Sequence, residues 1–207
     1  MNKLASIILF GLGIGLISCK SSPRIQDKAD SIASIESGPG KIIDERFLIV
    51  PGRSVGEISL GEDMVVVSKR LGKPDAGDAA MGKAWGIWYN IGSKDKDELA
   101  IYSAYRDTSM RVKEVKQIRI TSNVYKTQDG FTTQRTMNDT ELRFPDMEQV
   151  ATYLNENQDT VFVYDAQSDG IGFEFLKGRG ISITIHTKNV AVNHTYLTLH
   201  TGWKQVF

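Results

Sequence analysis

Apolar and polar residues alternate with a period of two through three runs in the first half of the chain: AWGIWYNI, ELAIYSAY and VKQIRIT. That is the spacing of half-buried strands. Trp85, Ile87, Tyr89 and Ile91 take every second place in the first run, Leu99 and Ile101 in the second, Ile118 and Ile120 in the third. Ahead of them, EDMVVVSKRLGKPD changes period. Met64, Val67 and Leu71 fall at helical spacing, with Glu62 and Asp63 in the first turn, where they complement the positive end of the helix dipole. Gly72 suits a C-terminal cap and Pro74 a stop. Earlier still, RFLIVPG is a short β-rich run ended by Pro51-Gly52.

The same order then returns. Thr136 to Phe144 is a candidate helix, with Thr136 and Asp139 at capping-box spacing and Pro145-Asp146 at its end. Met147 to Leu154 reads as a second helical stretch. TVFVYD, IGFEFL and GISITIHT read as three strands, with turns at Asp169-Gly170 and Gly178-Arg179-Gly180, and HTYLTLH as a last strand. The expected fold is α+β: two tandem helix-plus-three-stranded antiparallel units forming one sheet, with short helices on one face. The first unit covers 45–124 and the second, with the C-terminal strand, 125–207. Leu71 and Phe144 are then equivalent anchors at the ends of the two helices. The repeat rests on element order, not on matching letters.

The amino terminus has neither period. Lys3 precedes an uncharged, mostly apolar run from Leu4 to Ser18. The run is shorter than the roughly 20 residues that span a bilayer as a helix, and it reads as a signal peptide over 1–18. Leu16-Ile17-Ser18-Cys19 resembles the bacterial lipobox, and Cys19 is the single cysteine. The resemblance implies lipidation of Cys19, cleavage before it and acylation of the new terminus. Several acyl chains hold a protein on a membrane stably where one does so only marginally. Residues 19–44, rich in serine and broken by Gly38-Pro39-Gly40, read as a flexible tether.

Composition narrows the function classes further. Lys plus Arg and Asp plus Glu each number 25, the net charge is zero and the pI is about 6.8, so no basic excess points to nucleic acid. Gly52-Arg53-Ser54-Val55-Gly56 spells the G-x-S-x-G of a nucleophile elbow. The residues after Ser54 are extended and glycine-bounded where an elbow needs a helix, so glycine turns explain the pattern better than a nucleophilic Ser54. His186, His194 and His200 would bind zinc only if they converged, and on one strand His194 and His200 would stand about 20 Å apart. The segment from Asp165 to Gly170 opens like a calcium loop, but Leu176 stands where a glutamate is required. No cofactor or metal is expected.

PGRSVGEISLGEDMVVVSKRLGKPD, through Gly52, Gly56, Leu60, Gly61, Val67, Leu71, Gly72 and Pro74, resembles the helix-entry segment of bacterial envelope lipoproteins with β-lactamase-inhibitor-protein-like or BamE-like domains. YKTQDGFTTQRTMNDTELRFP looks like a degenerate second copy, with Gln134 in the place of Gly61. The resemblance implies helices packed on one sheet face, the other face left open, and a role in binding other proteins. The expectation is therefore a lipid-anchored protein of the cell envelope, in the outer membrane of a diderm bacterium, attached through Cys19 and binding a protein or envelope partner of unknown identity. The alternative is an envelope hydrolase using Ser54. Period two assigns the open face: aliphatic Ile87, Ile91, Leu99, Ile101, Val161, Val163, Ile181, Ile183 and Ile185 inward, and Trp88, Tyr102, Tyr164 and His186 outward as the partner-binding surface.

Overall fold

Proline and glycine break the chain into short extended pieces, and backbone pairing assembles those pieces into two sheets. The computed structural model describes residues 43–89 and 96–207. A 3-10 turn, Glu45–Phe47, leads into β1 (Leu48–Val50), β2 (Ser54–Val55) and β3 (Ile58–Ser59). Helix α1 (Met64–Leu71) is followed by β4 (Ala76–Ala80), β5 (Lys83–Tyr89), β6 (Glu98–Tyr105), β7 (Lys113–Ile120) and β8 (Lys126–Thr127). Helix α2 (Met137–Arg143) then precedes β9 (Glu148–Leu154), β10 (Thr160–Ala166), β11 (Ile171–Leu176), β12 (Arg179–His186) and β13 (Lys204–Gln205).

Nine strands form one antiparallel sheet in the order β13-β9-β10-β11-β12-β7-β6-β5-β4. The small second sheet has the order β3-β2-β1-β8, with β1 and β8 parallel. Both helices are capped as their sequences require. Asp63 accepts from Val65 N at the start of α1, and Gly72 ends it at φ 77°. Thr136 and Asp139 form the full capping box of α2.

Apolar residues gather on one face of the large sheet. Leu99, Ile101, Ile118, Ile120, Ile171, Phe173, Phe175, Ile183 and Ile185 pack there against Ile49, Val55 and Ile58 of the small sheet, Val67 of α1 and Phe144 just beyond α2. Phe131, Phe144 and Phe173 form an aromatic knot with ring centroids 5.1–5.8 Å apart. The opposite face carries the segment after β12. That segment crosses the sheet as a strap and rejoins it at the edge, where β13 pairs with β9.

The fold class expected from element order is corrected. Over the described residues the protein is mostly β, with thirteen strands in two sheets and two short α-helices, and is not a tandem of helix-plus-three-strand units. The small sheet joins β1–β3 to β8, so it draws on both halves of the chain. Direct pairing of β12 with β7 makes the large sheet continuous. Residues 147–154, expected to be helical, contain β9: pairing with β10 on one side and β13 on the other outweighs local helical preference. The last strand expected at HTYLTLH is absent. There the backbone bonds to side chains beneath it, Leu197 O accepting from Trp85 Nε1 and Tyr196 N donating to Tyr102 Oη.

Candidate functional site

The face beneath the strap is polar and buried. Moving across β7, β12, β11 and β10, it presents Gln117, Arg119, Thr184, His186, Ser182, Glu174 and Asp165. Most of these side chains are buried, and Gln117, Arg119, Ser182, Glu174, His186 and Asp165 find partners inside the sheet or in the strap. Arg119, only 4% exposed, donates to Glu174 at 2.6 Å and to Glu98 at 3.0 Å; Ser182 Oγ donates to the same Glu174 oxygen at 2.7 Å. Burial alone would raise the Glu174 pKa, but the Arg119 charge, with His200 nearby, overrides it and holds the carboxyl well below the usual range. Burial would likewise favour neutral Arg119, and Glu174 and Glu98 keep it charged.

Asp165 ties the strap down at its start. Its Oδ2 accepts from Val192 N at 2.8 Å and its Oδ1 lies 2.9 Å from His186 Nε2, while His186 Nδ1 faces Thr187 O at 3.1 Å. A carbonyl only accepts, so Nδ1 is the ring nitrogen that donates to Thr187 O. Gln117 Nε2 donates to Val192 O at 2.8 Å. Gly172 allows this approach: a Cβ there would stand 2.8 Å from Val192 Cγ2.

Open space remains on either side of the strap. One cleft, of about 370 Å³, lies over Arg119 and Glu174 and is closed by His200 and Trp203. These two rings stack with centroids 3.7 Å apart. His200 Nε2 stands 3.6 Å from Glu174 Oε1 and has no hydrogen-bond partner among the described residues. The second cleft, of about 720 Å³, lies towards β5 and β6, between Lys83, Tyr102, Lys116, His194 and Tyr196.

The four residues expected on one open face are divided between two covered ones. Trp88 is 3% exposed on the helix-bearing face, its ring over Gly86 and its Nε1 donating to Gly72 O. Tyr164 is half-buried on that same face, against Phe175 at 5.8 Å. Tyr102 and His186 do point away from the aliphatic core, but the strap covers them, leaving 4% and 1% exposed. Ile87 is the reason for the difference. It packs with Trp85, Tyr102, Leu197 and Leu199 beneath the strap, so an inward Ile87 reverses the faces of its strand. Val163, expected inward too, lines the smaller cleft.

Ser54 sits in the β1–β2 hairpin opposite Val50. Gly52 and Gly56 have φ of 67° and 52°, and a Cβ on Gly56 would lie 2.4 Å from Arg46 O. The G-x-S-x-G pattern is thus spent on backbone geometry. No hydrogen bond joins the Ser54 hydroxyl to a histidine among the described residues. The three histidines occupy separate surroundings, and no cluster with metal-binding composition occurs among the described residues. Cys19 and Ile91 lie outside the described residues. Sequence reasoning missed Arg119, Glu174 and Lys116. The signal available for the first two was a lone charge inside an apolar strand, IRI and FEF, which without the strand register reads as a solvated position. Comparison of the chain with protein-family models, curated proteins and solved structures gives no match.

Proposed function

We propose that this chain is a lipid-anchored protein of the cell envelope, attached through Cys19, whose strapped sheet binds a partner molecule in the clefts beside the strap. The carrying observation is that the strap covers a polar sheet face incompletely. It leaves space bordered by His200 Nε2, which is buried and has no hydrogen-bond partner among the described residues, and by the exposed His194. A purely structural cover would close over such groups or satisfy them. The lipobox-like Leu16–Cys19 supports the anchoring half of the proposal.

Anchoring is tested by labelled palmitate, which enters the wild type and not Cys19→Ala. Binding is tested by placing a photo-crosslinking residue at Tyr196, which is 61% exposed on the strap, or at Leu142, 77% exposed on α2. In native membranes the first position gives a discrete adduct and the second does not. Equal labelling at both, or none at Tyr196, overturns the binding half.

A further inference from the structure

We infer that the larger cleft is an anion site for a small aromatic acid, a carboxylate or phosphate on a flat apolar body. The inference rests on the binding role proposed above and names the ligand chemistry.

A bulge in β7 builds the site. Opposite β6, Gln117 pairs with Tyr102 and Val115 with Ser103, which leaves Lys116 without a cross-strand partner. The extra residue reverses the alternation of the strand. Val115 turns into the apolar core on one side, while Lys116 and Gln117, adjacent in sequence, both line the cleft on the other. Bulges re-aim side chains in this way, and they recur beside functional sites. Without the bulge, only one of these two residues would reach the cleft.

The groups around the space are donors. Lys83, on β5, has no carboxylate partner among the described residues; its Nζ rests 5.0 Å from the centroid of the Tyr196 ring. Lys116 donates to Glu114 at 2.6 Å, and Glu114 is shared with Arg106, also at 2.6 Å. Hydrogen bonding to Lys116 holds the Glu114 carboxyl below its usual range, and Glu114 is not among the residues lining the cleft. No aspartate or glutamate is among the lining residues. Tyr102 Oη accepts from Tyr196 N at 2.9 Å, and its own hydrogen meets no acceptor among the described residues. His194 adds a further unpartnered ring.

An anionic oxygen group placed among Lys83, Tyr102 and the Lys116 hydrogens that Glu114 does not take would satisfy these donors together. Tyr102, Tyr196, Ala104 and Val190 supply apolar walls for a ring attached to it. About 720 Å³ is within the range of small-ligand sites. The neighbouring cleft lacks this character, because Arg119 is already held by two carboxylates.

The experiment titrates the full chain in neutral detergent with benzoate, phenyl phosphate, inorganic phosphate and benzylamine, monitored by calorimetry and by intrinsic tryptophan fluorescence. Saturable binding of benzoate or phenyl phosphate is expected, and the tighter of the two identifies the acid. Lys83→Met and Tyr102→Phe each weaken it about tenfold, the loss of one charge-assisted or buried hydrogen bond. Lys177→Met, remote and exposed, leaves it unchanged. Melting temperatures of the variants separate lost binding from lost folding, and half-exposed Lys83 is the change least coupled to folding. Binding of benzylamine in preference to the acids, or binding that survives both Lys83→Met and Lys116→Met, overturns the inference. Inorganic phosphate binding as tightly as phenyl phosphate overturns the aromatic body. Absence of acid binding with the Tyr196 photo-adduct intact overturns the anion assignment alone; absence of both overturns the binding role as well.

Discussion

The two faces of the nine-stranded sheet are both covered, by opposite chemistry. On one face, aliphatic and aromatic side chains meet two helices and a small sheet, and burial of apolar area supplies the cohesion. On the other, Arg119, Asp165, His186 and Gln117 are as withdrawn from water, with Glu174 slightly less so, and directional bonds to one another and to the strap hold them. An apolar core fails in proportion to the volume removed. A polar layer fails when one member of a bonded set is removed and the others remain buried without a partner. The two faces should therefore respond differently to substitution.

The largest effect is expected on the apolar face. Phe144 is 2% exposed and touches both Phe131 and Phe173. Phe144→Ala should cost about 3–5 kcal/mol, read by urea or thermal denaturation. No second substitution nearby should restore it, short of one that refills the cavity. Leu71→Ala should cost less, because Leu71 is only half-buried.

Next is the ion pair of the polar face. Arg119→Met leaves the largely buried Glu174, and the partly exposed Glu98, without their cation, at a cost of about 3 kcal/mol. Here a second change should help: Glu174→Leu added to Arg119→Met should recover much of the loss, because a buried pair is often replaceable by apolar residues of similar size. Failure of that recovery would mean that the network does more than satisfy itself. A pH scan sharpens the point. The Glu174 pKa is depressed in the folded protein, so its contribution is complete above the unfolded carboxyl value of about 4.3. It is lost as pH falls below that value towards the lower folded one. Denaturation midpoints between pH 6 and pH 3 should fall more steeply for wild type than for the double variant.

The strap's fit to the sheet comes third. Gly172→Val places a branched side chain where Val192 Cγ2 already stands within 2.8 Å of the Cβ position. Overpacking of this kind typically costs about 1–3 kcal/mol. The strap is the element free to yield. Faster amide exchange at residues 192–200, with the apolar face unchanged, would separate the two covers; uniform destabilisation would join them.

Legibility in the chain divides along the same line. Helix ends are largely legible because capping is local: Gly72, and Thr136 with Asp139, act on backbone within a few residues, whereas Asp63, expected with Glu62 in the first turn, is instead the cap that precedes it. The runs that form β5, β6, β7, β10, β11 and β12 are legible as strands. Which way they face is not. Period two distinguishes inside from outside only when one face meets water, and here both faces are buried. Bulges at Lys116, Val150 and Ile181 then shift the phase within strands, so that Ile181, expected beside Ile183 and Ile185, falls out of step. β4, rich in alanine with a glycine and an aspartate, forms on backbone pairing to β5 and carries no strand signal of its own. The polar layer depends on register between residues as distant as Arg119 and Glu174, which no local pattern encodes.

The smallest expected effect tests how the strap is held. Tyr102→Phe keeps the ring packed at a tilt against Trp85, 5.1 Å between centroids, and removes only the hydroxyl that accepts from Tyr196 N. A single bond of this kind is worth about 1 kcal/mol, which for a chain of this size lowers the melting temperature by about 2–4 °C. The local consequence should be clearer than the global one. With its acceptor gone, the Tyr196 amide should lose protection from hydrogen exchange, while the Val192 amide, bonded to Asp165, keeps its own. If the two amides lost protection together, the strap would be a single cooperative unit and its ties would not be independent. If neither changed, packing of Leu197 and Leu199 on Trp85 and Ile87 would be holding the strap, and the contrast between an apolar and a polar face would be one of composition and not of mechanism.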